Sequence, residues 1–199
     1  ARTARYQAFA SHLQAGDVLL TAHHQDDQAE TVLLQLLRGA GVRGLAAMPS
    51  CQRLGSGWLA RPLLGVSRQA LAAYSTQHHL AWVEDDSNTQ ERFARNYLRH
   101  QIMPRLGQRW PQLSQVIARS AHHAAEAAAL LDELAQQDLL ALRTSAGLSV
   151  IQLQALSPAR RRNALRYWIR SQGFPPPDQV HLQRIESELL PAGIDRNPL

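Results

Sequence analysis

An apolar strand, Asp17-Val18-Leu19-Leu20, leads into Thr21-Ala22-His23-His24-Gln25-Asp26-Asp27-Gln28-Ala29-Glu30-Thr31. A helical pattern from Gln28 to Arg38 follows, with no glycine or proline anywhere in between. Val32, Leu33, Leu36 and Leu37 form its apolar stripe. Open α/β folds place their ligands where a buried strand's carboxyl end meets a helix. Asp27, Glu30 and Thr31 stand three and four residues apart, so on a helix they share one face. Two carboxylates with no neighbouring base call for a cation, either Mg²⁺ carrying a nucleotide or a substrate ammonium. The same residues admit a structural reading, with Asp26 as helix N-cap, Asp27 and Glu30 favouring the positive end of the helix dipole, and His23 and His24 ending the strand. A zinc site fits less well, because adjacent histidines on a strand point to opposite faces.

The pattern continues as alternating elements. Arg2 to Leu13 reads as a helix, Trp58 to Leu64 as a short extended segment, and Ser67 as the cap of a helix through Leu71, Tyr74 and His78. Leu80 to Val83 reads as a strand feeding the acidic loop Glu84-Asp85-Asp86-Ser87-Asn88. Asp85, Ser87 and Asn88 are expected to order that loop and help shape the site. Strand–helix alternation of this kind argues for a doubly wound parallel sheet covered by helices. Gly39, Gly41 and Gly44 match G-x-G-x-x-G literally, but a dinucleotide fingerprint must follow a strand and open a helix. Here the run follows a helix, and Gly39 reads as the residue that ends it.

The character changes after Pro111. Leu113 to Leu142 is rich in Ala and Leu with no strong breaker, giving one long helix or two packed short ones. Gly147 to Leu153 reads as a brief strand or extended segment. Ser157-Pro158 starts a helix in which Arg162, Arg166 and Arg170 recur every four residues, and Pro175-Pro176-Pro177-Asp178 precedes a last helix, Gln179 to Leu190. The expected division is therefore an α/β domain over residues 1–112 and a smaller, mainly helical domain over 113–199.

Composition agrees with a polyanion partner. The 199 residues carry a net charge of +5, and every basic residue other than histidine is arginine. A GC-biased protein with arginine in place of lysine would look the same. Cys51 is the single cysteine, which points to a reducing, cytoplasmic setting without disulfides. No apolar run approaches the length of a membrane span.

Five motifs in order carry a resemblance: His23-His24-Gln25-Asp26-Asp27-Gln28-Ala29-Glu30-Thr31, Arg38-Gly39-Ala40-Gly41-Val42-Arg43-Gly44-Leu45, Arg61-Pro62-Leu63-Leu64, Trp82-Val83-Glu84-Asp85-Asp86-Ser87-Asn88, and Arg95-Asn96-Tyr97-Leu98-Arg99. The series resembles the bacterial tRNA(Ile)-lysidine synthetases of the PP-loop ATP pyrophosphatases, closely over residues 1–115 and more loosely beyond. The resemblance implies a doubly wound α/β domain, followed by a helical domain that holds tRNA. It implies a ligase that uses ATP and Mg²⁺ to adenylate C2 of the wobble cytidine in tRNA(Ile) with a CAU anticodon. The ε-amine of free L-lysine then displaces AMP. By the same resemblance, Asp27 and Glu30 lie in the catalytic crevice, Asp27 towards Mg²⁺ and Glu30 towards lysine, though which carboxylate takes which cation stays open. His23 and His24 would sit beside the nucleotide. Arg38 would stabilise charge on phosphate, Arg95 and Arg99 would contact phosphate of ATP or tRNA, and Arg162, Arg166 and Arg170 would contact tRNA. A homodimer is an open expectation.

One departure is large. The family's Ser-Gly-Gly-x-Asp-Ser phosphate loop is not among these residues. The expectation is a chain that starts inside the α/β domain, stops before a further C-terminal domain, and is inactive alone. Two rivals stand beside this reading. A tRNA-thiolating PP-loop enzyme would usually bring paired cysteines, and Cys51 stands alone. A non-enzymatic RNA-binding module explains the arginines but not the acidic residues.

Overall fold

A computed structural model describes residues 2–83, 92–145, 147–175 and 177–190, and divides the chain into two compact units, Ala1–Glu126 and Ala127–Leu199. That division falls inside the long helix, whereas the expected domain boundary at 112/113 lies just before it. The acidic loop read as a site-shaping element, residues 84–88, lies outside the described residues.

The first unit opens with α1 (Arg2–His12), followed by β1 (Val18–Leu20), α2 (Gln25–Leu37) and α3 (Val42–Leu45). A hairpin, β2 (Cys51–Leu54) and β3 (Gly57–Ala60), precedes α4 (Arg68–Gln77). The two-residue turn at Gly55-Ser56 needs glycine at its first position. Gly55 has φ +58, and a Cβ there would meet the Ala10 carbonyl oxygen at 2.5 Å. Across the hairpin Arg53 faces Trp58, its guanidinium 4.5 Å from the ring centroid. β1 runs parallel to β3, and β2 antiparallel to it, giving the order β1-β3-β2. Ser67 caps α4 as its sequence position predicts, accepting from the Ala70 N–H.

Three expectations need correction. Leu80–Val83 forms no strand: no partner strand lies alongside it among the described residues, and Val83 is 96% exposed. Of the brief strand or extended segment read over Gly147 to Leu153, the strand is present but covers only Gly147–Leu148, and a helix starts at Val150. The third concerns α2. It begins at Gln25 with His24 as N-cap, so Asp26 lies inside the first turn and does not cap its own helix. Its apolar stripe does not extend to Leu36 and Leu37, which are exposed. The buried residues of α2 are Asp27, Gln28, Ala29, Glu30 and Val32. A helix can bury polar side chains like these only where the fold supplies each with a partner.

Gln28 shows how. Its amide nitrogen donates to the Met48 carbonyl, and the Met48 N–H donates to its amide oxygen, both at 3.0 Å. Gln28→Leu is therefore expected to cost about 1–3 kcal/mol, because two buried backbone groups lose their partners. The check is a fall in the urea midpoint at unchanged slope. An unmoved midpoint would mean the loop around Met48 finds other partners.

Near its end the first unit carries α5 (Ala94–Tyr97), a wide π-helical turn (Leu98–Ile102) and α6 (Met103–Arg109). Then α7 (Leu113–Leu142) runs as a single 30-residue helix, as its breaker-free sequence allows. Among the described residues no helix is long and apolar enough to cross a membrane.

The second unit contains β4 (Arg143–Thr144), β5 (Gly147–Leu148), α8 (Val150–Ala155), α9 (Pro158–Ser171) and α10 (Gln179–Arg184), with a π-helical turn at Ile185–Leu189. Its core is Leu139, Leu142, Leu153, Ala164, Leu165, Leu182 and Leu190, backed by Tyr167 and Trp168. Asp138 is buried and bound by both arms of the Arg160 guanidinium.

Candidate active site

The buried face of α2 meets the α5–π-turn segment through side chains. Arg99, on the π-helical turn, donates Nε to Glu30 Oε1 at 2.6 Å and Nη2 to Glu30 Oε2 at 2.9 Å. The same Nη2 donates to Asp27 Oδ1 at 2.7 Å. One turn earlier, Arg95 Nη2 donates to Thr31 Oγ1 at 2.8 Å, and Thr31 in turn donates to the Asp27 carbonyl. The shared face of Asp27, Glu30 and Thr31 thus receives two arginines from one short segment. The hydrogen bond to Glu30 holds the Arg99 guanidinium above the ordinary arginine range, against the opposing pull of burial. A π-helical turn within a helical stretch often marks a functional position, and here it carries the arginine that reaches both carboxylates.

The cation that the sequence demanded for Asp27 and Glu30 is thus present within the chain. The other Asp27 oxygen accepts from the His24 N–H at 3.0 Å, and His24 Nε2 lies 3.4 Å away. Asp27 is thus engaged on both oxygens within the chain, one of them by a guanidinium. Among the described residues no group of three or more His, Cys, Asp or Glu is placed to hold a metal ion.

Asp26 works differently from its neighbour. Its oxygens accept from the Arg68 N–H that opens α4 and from Ser114 Oγ on α7, each at 2.9 Å. It fastens three helices of the first unit around the site. A sequence reading confined to nearby residues cannot see this, because the partners lie 42 and 88 positions away.

Two cavities adjoin this group. One, about 280 Å³, is lined by Asp26, Glu30, Arg68 and Arg99 together with Met103, Pro104, Gly107, Pro111, Leu113 and Ser114. The other, about 400 Å³, gathers Arg5, Tyr6, His23, Thr31, Leu34, Gln35, Arg38, Ala94 and Arg95. His23, Arg38 and Arg95, expected around a nucleotide, thus line one cavity, and Arg5 joins them without a sequence signal beyond its charge. His23 also faces Thr21, with Nδ1 2.9 Å from Oγ1. His24 is not in that group and packs against Asp26 and Asp27. Gly39 has φ +70 and ends α2, while Gly41 is the N-cap of α3, so the glycine run is a helix-to-helix joint.

In the second unit the three α9 arginines separate. Arg162 pairs with Glu186 at 3.2 Å and Arg170 with Asp132 at 2.8 Å. Arg162 and Arg166 line a cavity of about 400 Å³ with Gln179, Gln183 and Glu186.

Residues 1–106 match the PP-loop domain, and residues 148–199 match the TilS substrate binding domain. The tRNA(Ile)-lysidine synthase of Coxiella burnetii is 51% identical over 199 residues, covering 100% of this chain and 44% of the relative. That of Alkalilimnicola ehrlichii is 53% identical over 199 residues, covering 100% and 45%. That of Pseudomonas fluorescens is 55% identical over 177 residues, covering 85% and 40%. The chain spans less than half the length of these relatives. It is similar to tRNA(Ile)-lysidine synthases, and with its PP-loop match covering more than half of its residues it belongs to the PP-loop family.

Proposed function

We propose that this chain is part of a tRNA(Ile)-lysidine synthase, an ATP-dependent ligase that joins L-lysine to C2 of the wobble cytidine of tRNA(Ile). The observation that carries the reading is the carboxylate–arginine group in a PP-loop domain. Lysine is a zwitterion with an apolar stem and a second ammonium. The smaller cavity sets Asp26 and Glu30 against Arg68 and Arg99, with Met103, Pro104 and Leu113 beside them. Carboxylates complement the ammonium groups, guanidinium complements the α-carboxylate, and the apolar wall takes the stem. The arginine-lined cavity at Arg5, Arg38 and Arg95 suits the phosphates of ATP.

In this reaction the C2 oxygen of the cytidine attacks the α-phosphorus of ATP and pyrophosphate leaves. The unprotonated ε-amine of lysine then attacks C2, AMP carries away the oxygen, and the amine loses a proton. Arg38 and Arg95 would offset charge developing on phosphate, as fixed cations do. Mg²⁺ accompanying ATP would neutralise phosphate charge. We further infer that the three-stranded sheet belongs to a doubly wound parallel sheet, supported by the parallel β1–β3 pair and the intervening α2.

The complete enzyme, given ATP, L-lysine and a tRNA with cytidine at the wobble position, should add the mass of one lysine residue at that base. Absence of the mass shift, with tRNA binding retained, would leave an RNA-binding module instead.

A second expectation concerns α9. Reversing Arg162, Arg166 and Arg170 to glutamate should weaken tRNA binding and flatten its dependence on salt, because each phosphate contact releases counterion. ATP binding should hardly change. Arg166 is expected to carry the largest share, since Arg162 and Arg170 are already held by Glu186 and Asp132. An unchanged salt slope would return all three to a structural role.

A further inference from the structure

Arg61 opens the Arg-Pro-Leu-Leu motif and has no part in the reaction above. It follows β3, whose parallel partner is β1, so it stands at the carboxyl end of the parallel pair. It is 3% exposed. Its backbone N–H donates to the Ser50 carbonyl at 2.8 Å and Nη1 donates to the Pro49 carbonyl at 2.6 Å. Its Nε is buried with no hydrogen-bond partner among the described residues. A cavity of about 300 Å³ lies against it, with Thr3, Tyr6 and Gln52 contributing polar side chains and Met48 and Pro49 the apolar part.

Arginine cannot shed its charge, so burial leaves it needing an anion or a full set of acceptors. A carbonyl on one arm meets part of that need. A brace for the loop around Pro49 would account for the Nη1 bond, but not for an orphaned Nε or for a cavity beside it. We propose that this cavity is a binding site for a small oxyanion, a phosphate or a carboxylate group, anchored by Arg61 and assisted by Thr3 and Gln52. The fork of the guanidinium matches two oxygens of either group. The proposal does not rest on the lysidine reading, since it follows from an uncompensated cation beside a cavity.

The test is titration of the 199-residue chain with inorganic pyrophosphate and, separately, with sodium acetate at constant ionic strength. The readouts are calorimetry and the NMR resonances of the Gln52 side-chain amide, assigned by its loss in Gln52→Ala. Saturable binding that shifts the Gln52 amide is expected, and the anion that binds tighter identifies the source as phosphate or carboxylate. Arg61→Gln should weaken that binding at least tenfold and abolish the Gln52 shift, and Thr3→Val should weaken it several-fold. Binding elsewhere, such as at Arg5 and Arg38, would appear in the heat but leave Gln52 still. If Arg61→Gln fails to fold, the Gln52 shift in the unaltered chain decides. A static Gln52 resonance with both anions, or undiminished binding in a folded Arg61→Gln, overturns the proposal.

Discussion

Arg99→Met is expected to destabilise the first unit by about 3–5 kcal/mol, the cost of leaving a buried charge without its partner. The methionine keeps most of the stem volume and removes only the fork. Glu30, whose side chain is 2% exposed, then loses both of its short hydrogen bonds, and Asp27 loses one. Two carboxylates one helical turn apart then keep only the looser ion pair of Arg95 with Glu30. Arg95 cannot substitute, because its Nε lies 3.9 Å from Glu30 Oε2 and its Nη2 already serves Thr31. Domains of this size are stable by about 5–15 kcal/mol, so the loss takes a large fraction of the total. Arg99→Lys should recover only part, since an ammonium lacks the planar fork with which the guanidinium grips both Glu30 oxygens. Pairing Arg99→Met with Glu30→Met should recover more, because the isolated charge then disappears along with its partner. Urea unfolding of the four proteins checks the order. Equal midpoints for Arg99→Met and the unaltered chain would mean that water reaches Glu30 and that the ion pair contributes little.

The second large effect is on turnover. Asp27→Asn and Glu30→Gln, made in the complete enzyme and assayed where circular dichroism shows them folded, should each lower lysidine formation roughly 100-fold or more, the scale of losing a preorganised electrostatic group. Both substitutions keep shape and remove charge. Glu30→Gln should also raise KM for lysine, because Glu30 lines the cavity proposed for it, whereas Asp27→Asn should act mainly on kcat by loosening Arg99. Near-normal turnover in both variants would reduce the group to a structural clamp between α2 and the π-helical turn.

Much of the frame was legible in the chain. The position of α2 after β1, the long unbroken α7, the Ser67 cap and the end of α2 at Gly39 follow from local rules: period, breaker-free runs, a hydroxyl that can accept a backbone N–H, and a residue that tolerates positive φ. Local rules failed where a partner from far along the chain decided the matter. Leu80–Val83 has strand-like composition, but a strand exists only beside a ladder partner. Leu36 and Leu37 continue an apolar stripe, yet among the described residues nothing covers them fully, and they stay exposed.

The sequence by itself determined that Asp27, Glu30 and Thr31 would share one helical face at a strand's carboxyl end, because spacings of three and four leave no other arrangement on a helix. It also determined that this face needed positive charge. Only the tertiary structure decided where that charge comes from. Arg99 and Arg95 lie more than sixty residues downstream, and the sequence reading assigned them to phosphate rather than to these carboxylates. The same holds for Asp26, whose partners on α4 and α7 turn a nominal helix cap into a clamp, and for Gln28, whose amide closes on Met48. The physical reason is common to all of them. Helical periodicity is set by neighbours three and four residues away, whereas the partner of a buried polar group is set by chain reversal, which brings distant segments within hydrogen-bonding reach.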